Sequence, residues 1–257
     1  MQRLVSRGLL AVIAATMLLW SGATAHALER FGPDSVDPAM ADRLDAIATI
    51  QSVMEANYSS RSCSVRASGH RLVLECSGTS AALARERLYR DYPFVGVANS
   101  PPLLNLYAAP NGRPQDQFLI LSSPIETRRR LAIAWIVLAH NTVPPESEAE
   151  FRTTLGSSSS ITDRAEDLRR VQVQVEAAIR ANRTIDAARL YRDTLRTAPA
   201  WAEGHFNLGL LYGELELYPE AITEMRRYLY LAPNAPDVRA VQDRIYEWEA
   251  AMAPGVQ

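Results

Sequence analysis

Lysine is missing from all 257 residues, so every one of the 27 basic residues is an arginine. Its absence reads as genomic base bias, and it excludes any mechanism built on a lysine amine. Histidine is scarce: His26, His70, His140 and His205 are all there are. None has a second histidine or carboxylate at ligand spacing, and His-Glu-x-x-His, Gly-x-Ser-x-Gly and the phosphate-binding Gly-x-x-x-x-Gly-Lys pattern are absent. No cofactor, no metal and no enzymatic activity are expected. There is also no excess of positive charge, the formal net charge being −2. That excludes the basic stripe a nucleic-acid partner requires. Long apolar runs are missing too. The longest, Gly8 to Trp20, is too short to cross a bilayer comfortably. The apolar stretch Leu131–Leu138 is shorter still and follows three arginines.

Residues 1–27 have the layout of an export signal. Arg3 and Arg7 precede the apolar run, and Ala25-His26-Ala27 or Ala23-Thr24-Ala25 supplies a small-x-small cleavage site. The competing reading is a membrane anchor. Loss of the segment takes two arginines and moves the formal charge from −2 to −4. The expected location is outside the cytoplasm, in the periplasm of a Gram-negative bacterium, with no stable membrane insertion after cleavage.

Cys63 and Cys76 are the only cysteines. An even pair in an exported chain favours a disulfide, the alternative being two buried free thiols. A two-residue turn at Gly69-His70 would set Ala67 opposite Leu72, Val65 opposite Leu74 and Cys63 opposite Cys76. Around this hairpin, helical spacing predicts a helix from Asp37-Pro38 through Met40, Leu44, Ile47, Ile50 and Met54 to about Tyr58. A second is expected over Thr79–Asp91 and a third over Glu126–His140. Strands are expected at Leu103–Ala108 and Gln117–Leu121, separated by the turn Pro110-Asn111-Gly112-Arg113-Pro114. The N-terminal part, residues 28–142, thus reads as an α+β domain in the order αββαββα, with helices on an antiparallel sheet. Residues 143–162, with Pro144-Pro145 and the run Ser157–Ser160, read as a linker. Asp163 with Glu166 resembles a capping box opening the next helix.

Beyond residue 163 the chain repeats at a spacing of 34. Ala187 pairs with Ala221, Tyr191 with Met225, Leu195 with Leu229 and Pro199 with Pro233. In the block 202–235, Leu208 is seventh, Gly209 eighth, Tyr212 eleventh, Ala221 twentieth and Pro233 thirty-second. Small residues at 209 and 221 let two helices approach, and Pro233 stops the block. This pattern resembles the tetratricopeptide (TPR) repeat. It departs at His205, Met225 and Tyr228, where that family favours Trp, Phe and Ala. The copy at 168–201 is more divergent, with Gln174, Val175 and Ala178 at the Leu, Gly and Tyr positions. A capping helix follows with Val238, Val241, Ile245 and Trp248.

The resemblance implies a surface for another protein or peptide, lined by the first helix of each pair. Carried over, it exposes Gln172, Glu176 and Arg180 from the first copy. The second gives Phe206, Asn207, Leu210 and Glu214, and the capping helix gives Arg244 and Trp248. Asn207 stands where peptide-binding members place a backbone clamp. Phe206 and Trp248 would be aromatic anchors. The competing reading is that two repeats form no groove and these residues pack on the N-terminal part. The expected function is an interaction adaptor in envelope or secretion assembly, of unspecified oligomeric state. The alternatives are an N-terminal part that binds cell-wall glycan, or an enzymatic one with a cleft joining Asp91, Tyr92 and Arg128–Arg130.

Overall fold

The structure is a computed structural model that describes residues 28–36, 42–58, 63–76, 83–99, 102–119, 123–140, 147–156 and 164–252. The export segment, Asp37-Pro38, Met40, Pro144-Pro145, Ser157–Ser160 and Asp163 lie outside the described residues.

The first part is α+β, with two antiparallel sheets. Strand β1 (Glu29–Phe31) leads through a short 3-10 turn to helix α1 (Arg43–Tyr58). Asp42 starts this helix, its Oδ1 accepting the Asp45 N–H at 2.9 Å. Strands β2 (Cys63–Ala67), β3 (Arg71–Cys76) and β4 (Leu83–Leu88) form one sheet with β3 in the centre. The β2–β3 register sets Cys63 against Cys76, Val65 against Leu74 and Ala67 against Leu72, as the spacing required, and the disulfide is present.

The expected helix over Thr79–Asp91 is not there. Its described part is β4 followed by a 3-10 turn at Tyr89–Asp91. The apolar positions suit a helix, but a ladder to β3 that runs from Arg71–Leu88 to Cys76–Leu83 satisfies the backbone instead. The order αββαββα is therefore replaced by seven described strands with α1 near the start and a second helix at the end.

Strands β5 (Phe94–Asn99), β6 (Pro102–Tyr107) and β7 (Asp116–Leu119) join β1 in the second sheet, in the order β1-β5-β6-β7. Cross-strand partners share a face, so Val95 with Leu106, and Val97 with Leu104 and Phe118, all reach the core. The turn before β7 closes through Gly112 N–H to the Ala109 carbonyl at 3.1 Å. Asn111 is not at positive φ there, so Pro110 rather than an Asn-Gly conformation sets the bend. Helix α2 (Ile125–His140) crosses over, and Trp135, fully buried, meets Tyr89 edge-on at 4.7 Å between ring centres. Its indole N–H donates to the Tyr92 carbonyl at 3.2 Å. Leu44, Ile47, Ile50 and Met54 of α1 complete this core.

The expected linker holds a helix, α3 (Glu148–Gly156). Ser147 and Glu150 form a reciprocal capping box: Ser147 N–H donates to Glu150 Oε2 at 2.7 Å and Glu150 N–H to Ser147 Oγ at 3.2 Å. Phe151 is buried edge-on against His205. The segment is thus a packed element, because one apolar side chain lies over the helices that follow.

Those helices are α4 (Ala165–Arg180), α5 (Thr184–Leu195), α6 (Ala202–Glu214), α7 (Tyr218–Leu231) and α8 (Val238–Met252). Arg164 directly precedes α4, and its side chain makes no capping hydrogen bond. The period of 34 recurs atom by atom in the turns. Asn182 N–H reaches the Ile179 carbonyl and Arg183 N–H the Ala178 carbonyl. Thirty-four residues on, Glu216 N–H reaches Gly213 and Leu217 N–H reaches Tyr212. Both turns are Schellman closures with a left-handed residue, Asn182 (φ 56°) and Glu216 (φ 57°). Ala187 and Ala221 are fully buried, and Met225 covers Gly209. Trp248 of α8 lies against Gly213, where a Cβ would come within 2.3 Å of the indole.

The two parts are locked together. Gly69, at the tip of the β2–β3 hairpin, donates its N–H to the Leu215 carbonyl at 2.7 Å. Ser68 Oγ donates to Glu216 at 2.6 Å, Arg71 also binds Glu216, and the His70 ring lies on Tyr218. Arg43, buried in α1, donates to both oxygens of Glu220 and to the Gly69 carbonyl. Arg189 and Arg192 of α5 hold Asp45 and Asp42 at 2.7 Å each. The docking uses α5, α7 and the α6–α7 turn. The first helix of each pair, α4 and α6, keeps its outer face.

Candidate functional site

On that free face, α4 and α6 enclose a groove of about 370 Å³. Its floor is Val175, Tyr191 and Leu211, all buried, and its walls are Ile179 and Leu210, respectively 48% and 41% exposed. Gln172, Glu176, Glu203 and Asn207 supply the polar rim. The local reason is helical periodicity: residues 172, 175, 176 and 179 share one stripe of α4, and 203, 207, 210 and 211 one stripe of α6.

Asn207 Nδ2 donates to the Tyr191 hydroxyl at 3.0 Å. The amide is thereby oriented, and its Oδ1 is the acceptor of the pair. Burial pushes the Tyr191 phenol upward; the Asn207 hydrogen bond opposes this, and the carboxylates Glu203 and Glu176 reinforce it. Both acidic fields therefore reach the groove floor.

Four residues expected from the sequence, Gln172, Glu176, Asn207 and Leu210, converge here. Arg180 sits one turn beyond, paired with Glu176 at 3.5 Å and largely exposed. Glu214 is elsewhere: it accepts from Thr184 at 3.1 Å and faces the cleft between the two parts. Phe206 is half-buried against Tyr228, 5.1 Å between ring centres, and is no free anchor. Trp248 is buried on Gly213 and stacks on Tyr218, so it packs α8 down instead of lining a surface. Arg244 pairs with Glu247 on α8, away from the groove. Val175, Ile179, Tyr191, Glu203 and Leu211 were not among the expected lining residues. Ile179 and Glu203 were reachable by extending each helical stripe one turn, from Glu176 and from Asn207.

The cleft between the parts is larger, about 970 Å³, and is lined by α1, the hairpin and the helix turns. Charges of both signs alternate around it, Arg66, Arg71, Arg183 and Arg189 against Glu55, Glu75, Asp186 and Glu214, so it favours no one ligand charge. Gln51 of α1 closes its strand edge. The side-chain amide donates to the Val65 carbonyl at 2.8 Å and accepts the Ala67 N–H at 2.7 Å, standing where another strand would pair.

Residues of the suggested cleft at Asp91, Tyr92 and Arg128–Arg130 have partners of their own. Arg128 is buried and donates to the Ser123 carbonyl, Arg129 pairs with Glu29 and Glu126, and Asp91 pairs with Arg90. His205 and Glu224 are buried together at the α6–α7 interface, with Arg227 on the second carboxylate oxygen and the Pro199 carbonyl on the other ring nitrogen. Among the described residues, no three His, Cys, Asp or Glu are placed to hold a metal ion, and no helix is long and apolar enough to cross a membrane.

No protein-family model, curated protein or solved structure matches this chain.

Proposed function

We propose that this is an exported adaptor of the TPR type, which binds an extended segment of another polypeptide in the α4–α6 groove and works by burial and a few polar clamps. The observation that carries the reading is the placement of the docking contacts. The N-terminal part grips the second helices and a turn, and the face formed by the first helices keeps its groove open, with two exposed aliphatic walls and an oriented amide. Leu210 and Ile179 would bury against guest side chains, and Asn207 would hold the guest backbone. The 34-residue recurrence of the turn geometry supports the family resemblance. The disulfide supports an oxidising compartment, and the periplasm is the compartment proposed.

Site-directed photo-crosslinking in the native host tests this. A crosslinker at Leu210 or Ile179 is expected to give a discrete protein adduct, and one at Tyr230, on the second helix of its pair, is not. Adducts of equal yield from all three positions, or none from the groove, would remove the proposal.

A further inference from the structure

The α4–α6 groove has a charge of one sign. Its lining contains Glu176 on one helix and Glu203 on the other, with no arginine or histidine among its residues. Glu203 is exposed and has no ion pair among the described residues. Glu176 has only Arg180 one turn along its own helix, at 3.5 Å. Both members of that pair are about two-thirds exposed, so it is readily exchanged for a better-placed cation. Between the carboxylates lie amides that donate and accept, Gln172 and Asn207, and beside them the aliphatic walls Ile179 and Leu210. A guest with a carboxylate would meet two like charges; an all-apolar guest would strip water from both carboxylates without compensation.

We infer that the guest segment carries an arginine, or a lysine in its place, next to an aliphatic residue, with the cation held between Glu176 and Glu203 and the aliphatic side chain on Ile179 and Leu210. This rests on the groove being the binding surface. A guanidinium suits the position because its planar donors engage two carboxylates from opposite walls at once. The guest backbone N–H next to the cation falls to Asn207 Oδ1, whose amide is already turned by Tyr191. An arginine-for-citrulline exchange in the guest keeps its shape and removes its charge.

The experiment selects random displayed nonapeptides on the full chain, then titrates the winning peptide by fluorescence anisotropy. A consensus with Arg or Lys beside Leu, Ile or Val is expected. Glu176→Gln and Glu203→Gln are each expected to weaken it about five- to tenfold, as is citrulline in the peptide, with further weakening as salt rises from about 50 to 300 mM. Both substitutions are on exposed helix positions, and unchanged circular dichroism confirms the fold. If the selected peptides lack a cation, or ignore both glutamine variants but lose binding to Leu210→Asp, the groove stands and the cation inference is wrong. If nothing is selected, or Leu210→Asp binds equally well, the groove reading falls and the inference with it.

Discussion

Replacing Gly69 with alanine separates two opposite expectations by the sign of the effect. Gly69 sits at the hairpin tip and is not in the left-handed region, so an alanine fits its own backbone. In a hairpin facing water, the exchange would therefore stabilise by about 0.4–1 kcal/mol, because the unfolded chain loses freedom. In this structure the added Cβ would stand 2.5 Å from the Glu216 carbonyl oxygen and 2.9 Å from its carbon. Ordinary contact begins at 3.4 Å, and a backbone oxygen cannot rotate aside as a side chain does. The tip must retreat by close to an ångström, which also stretches the Gly69 N–H to Leu215 bond, now 2.7 Å, out of range. Overpacking of this kind costs about 1–3 kcal/mol and the lost hydrogen bond about 1 kcal/mol more.

With the unfolded-state gain subtracted, the net expectation is a loss of roughly 1–3.5 kcal/mol, which for a chain of this size lowers Tm by about 2–14 °C. Differential scanning calorimetry of the Gly69→Ala variant reads it directly. Limited proteolysis should show new cutting between the two parts at temperatures where the parent resists. A Tm that is unchanged or higher would refute the docking of the hairpin on the α6–α7 turn, since only the neighbour converts a favourable exchange into a costly one.

Other expectations are more compact. Burial, and next the nearby Arg43, hold the His70 imidazole below its ordinary value of 6.5. Its contribution to stability is thus complete above pH 6.5 and is lost as the pH falls towards the depressed value; His70→Gln should flatten the stability slope just below pH 6.5 in urea titrations. Asp45 is raised by burial but lowered more by Arg189 and Arg192, so its share is present above pH 3.8 and disappears below it; Asp45→Asn should remove that acid-limb loss. Reducing the Cys63–Cys76 bond frees a short loop, and should cost about 3 kcal/mol in denaturant midpoint measurements with and without reductant. Glu224→Ala would leave His205 and Arg227 without their shared carboxylate in a buried site, and should destabilise by about 3–5 kcal/mol in thermal melts.

Which elements were legible in the sequence follows from how local their causes are. The β2–β3 register follows from one turn and a pair of cysteines, and the helix pairs from small residues and prolines repeated every 34 positions. The helix assigned to Thr79–Asp91 failed because Leu83–Leu88 belongs to a ladder whose partner strand, β3, decides its conformation. The link between the parts was invisible for a related reason. Arg43 and Glu220 are 177 residues apart, and each looks like an ordinary charge on a solvated helix until the hairpin tip arrives beside them. In the groove, Gln172, Glu176, Asn207 and Leu210 were reached through the repeat resemblance, which implies that the first helix of each pair lines the surface. The orientation of the aromatics was not legible, because whether Phe206 or Trp248 faces outward depends on Tyr228 and Gly213 on neighbouring turns.

Glu216 shows how the repeat geometry and the docking were reconciled. Both helix pairs close through a left-handed residue, a conformation that glycine and asparagine adopt readily and that costs other residues roughly 1 kcal/mol. Asn182 meets this demand in the first turn, where the backbone alone decides. The second turn carries a glutamate at the same φ, against backbone preference. Its carboxylate accepts from Ser68 and from Arg71, and its neighbour Leu215 accepts from Gly69, so the strained residue is also the one the hairpin grips. Charge-assisted bonds of this kind, even discounted for the partly exposed Arg71, offset a cost of that size. The same turn fixes the end of α6, and hence the wall that carries Asn207 and Leu210. The N-terminal part therefore acts on the groove by holding one of its two helices in place, without touching the surface a guest would use.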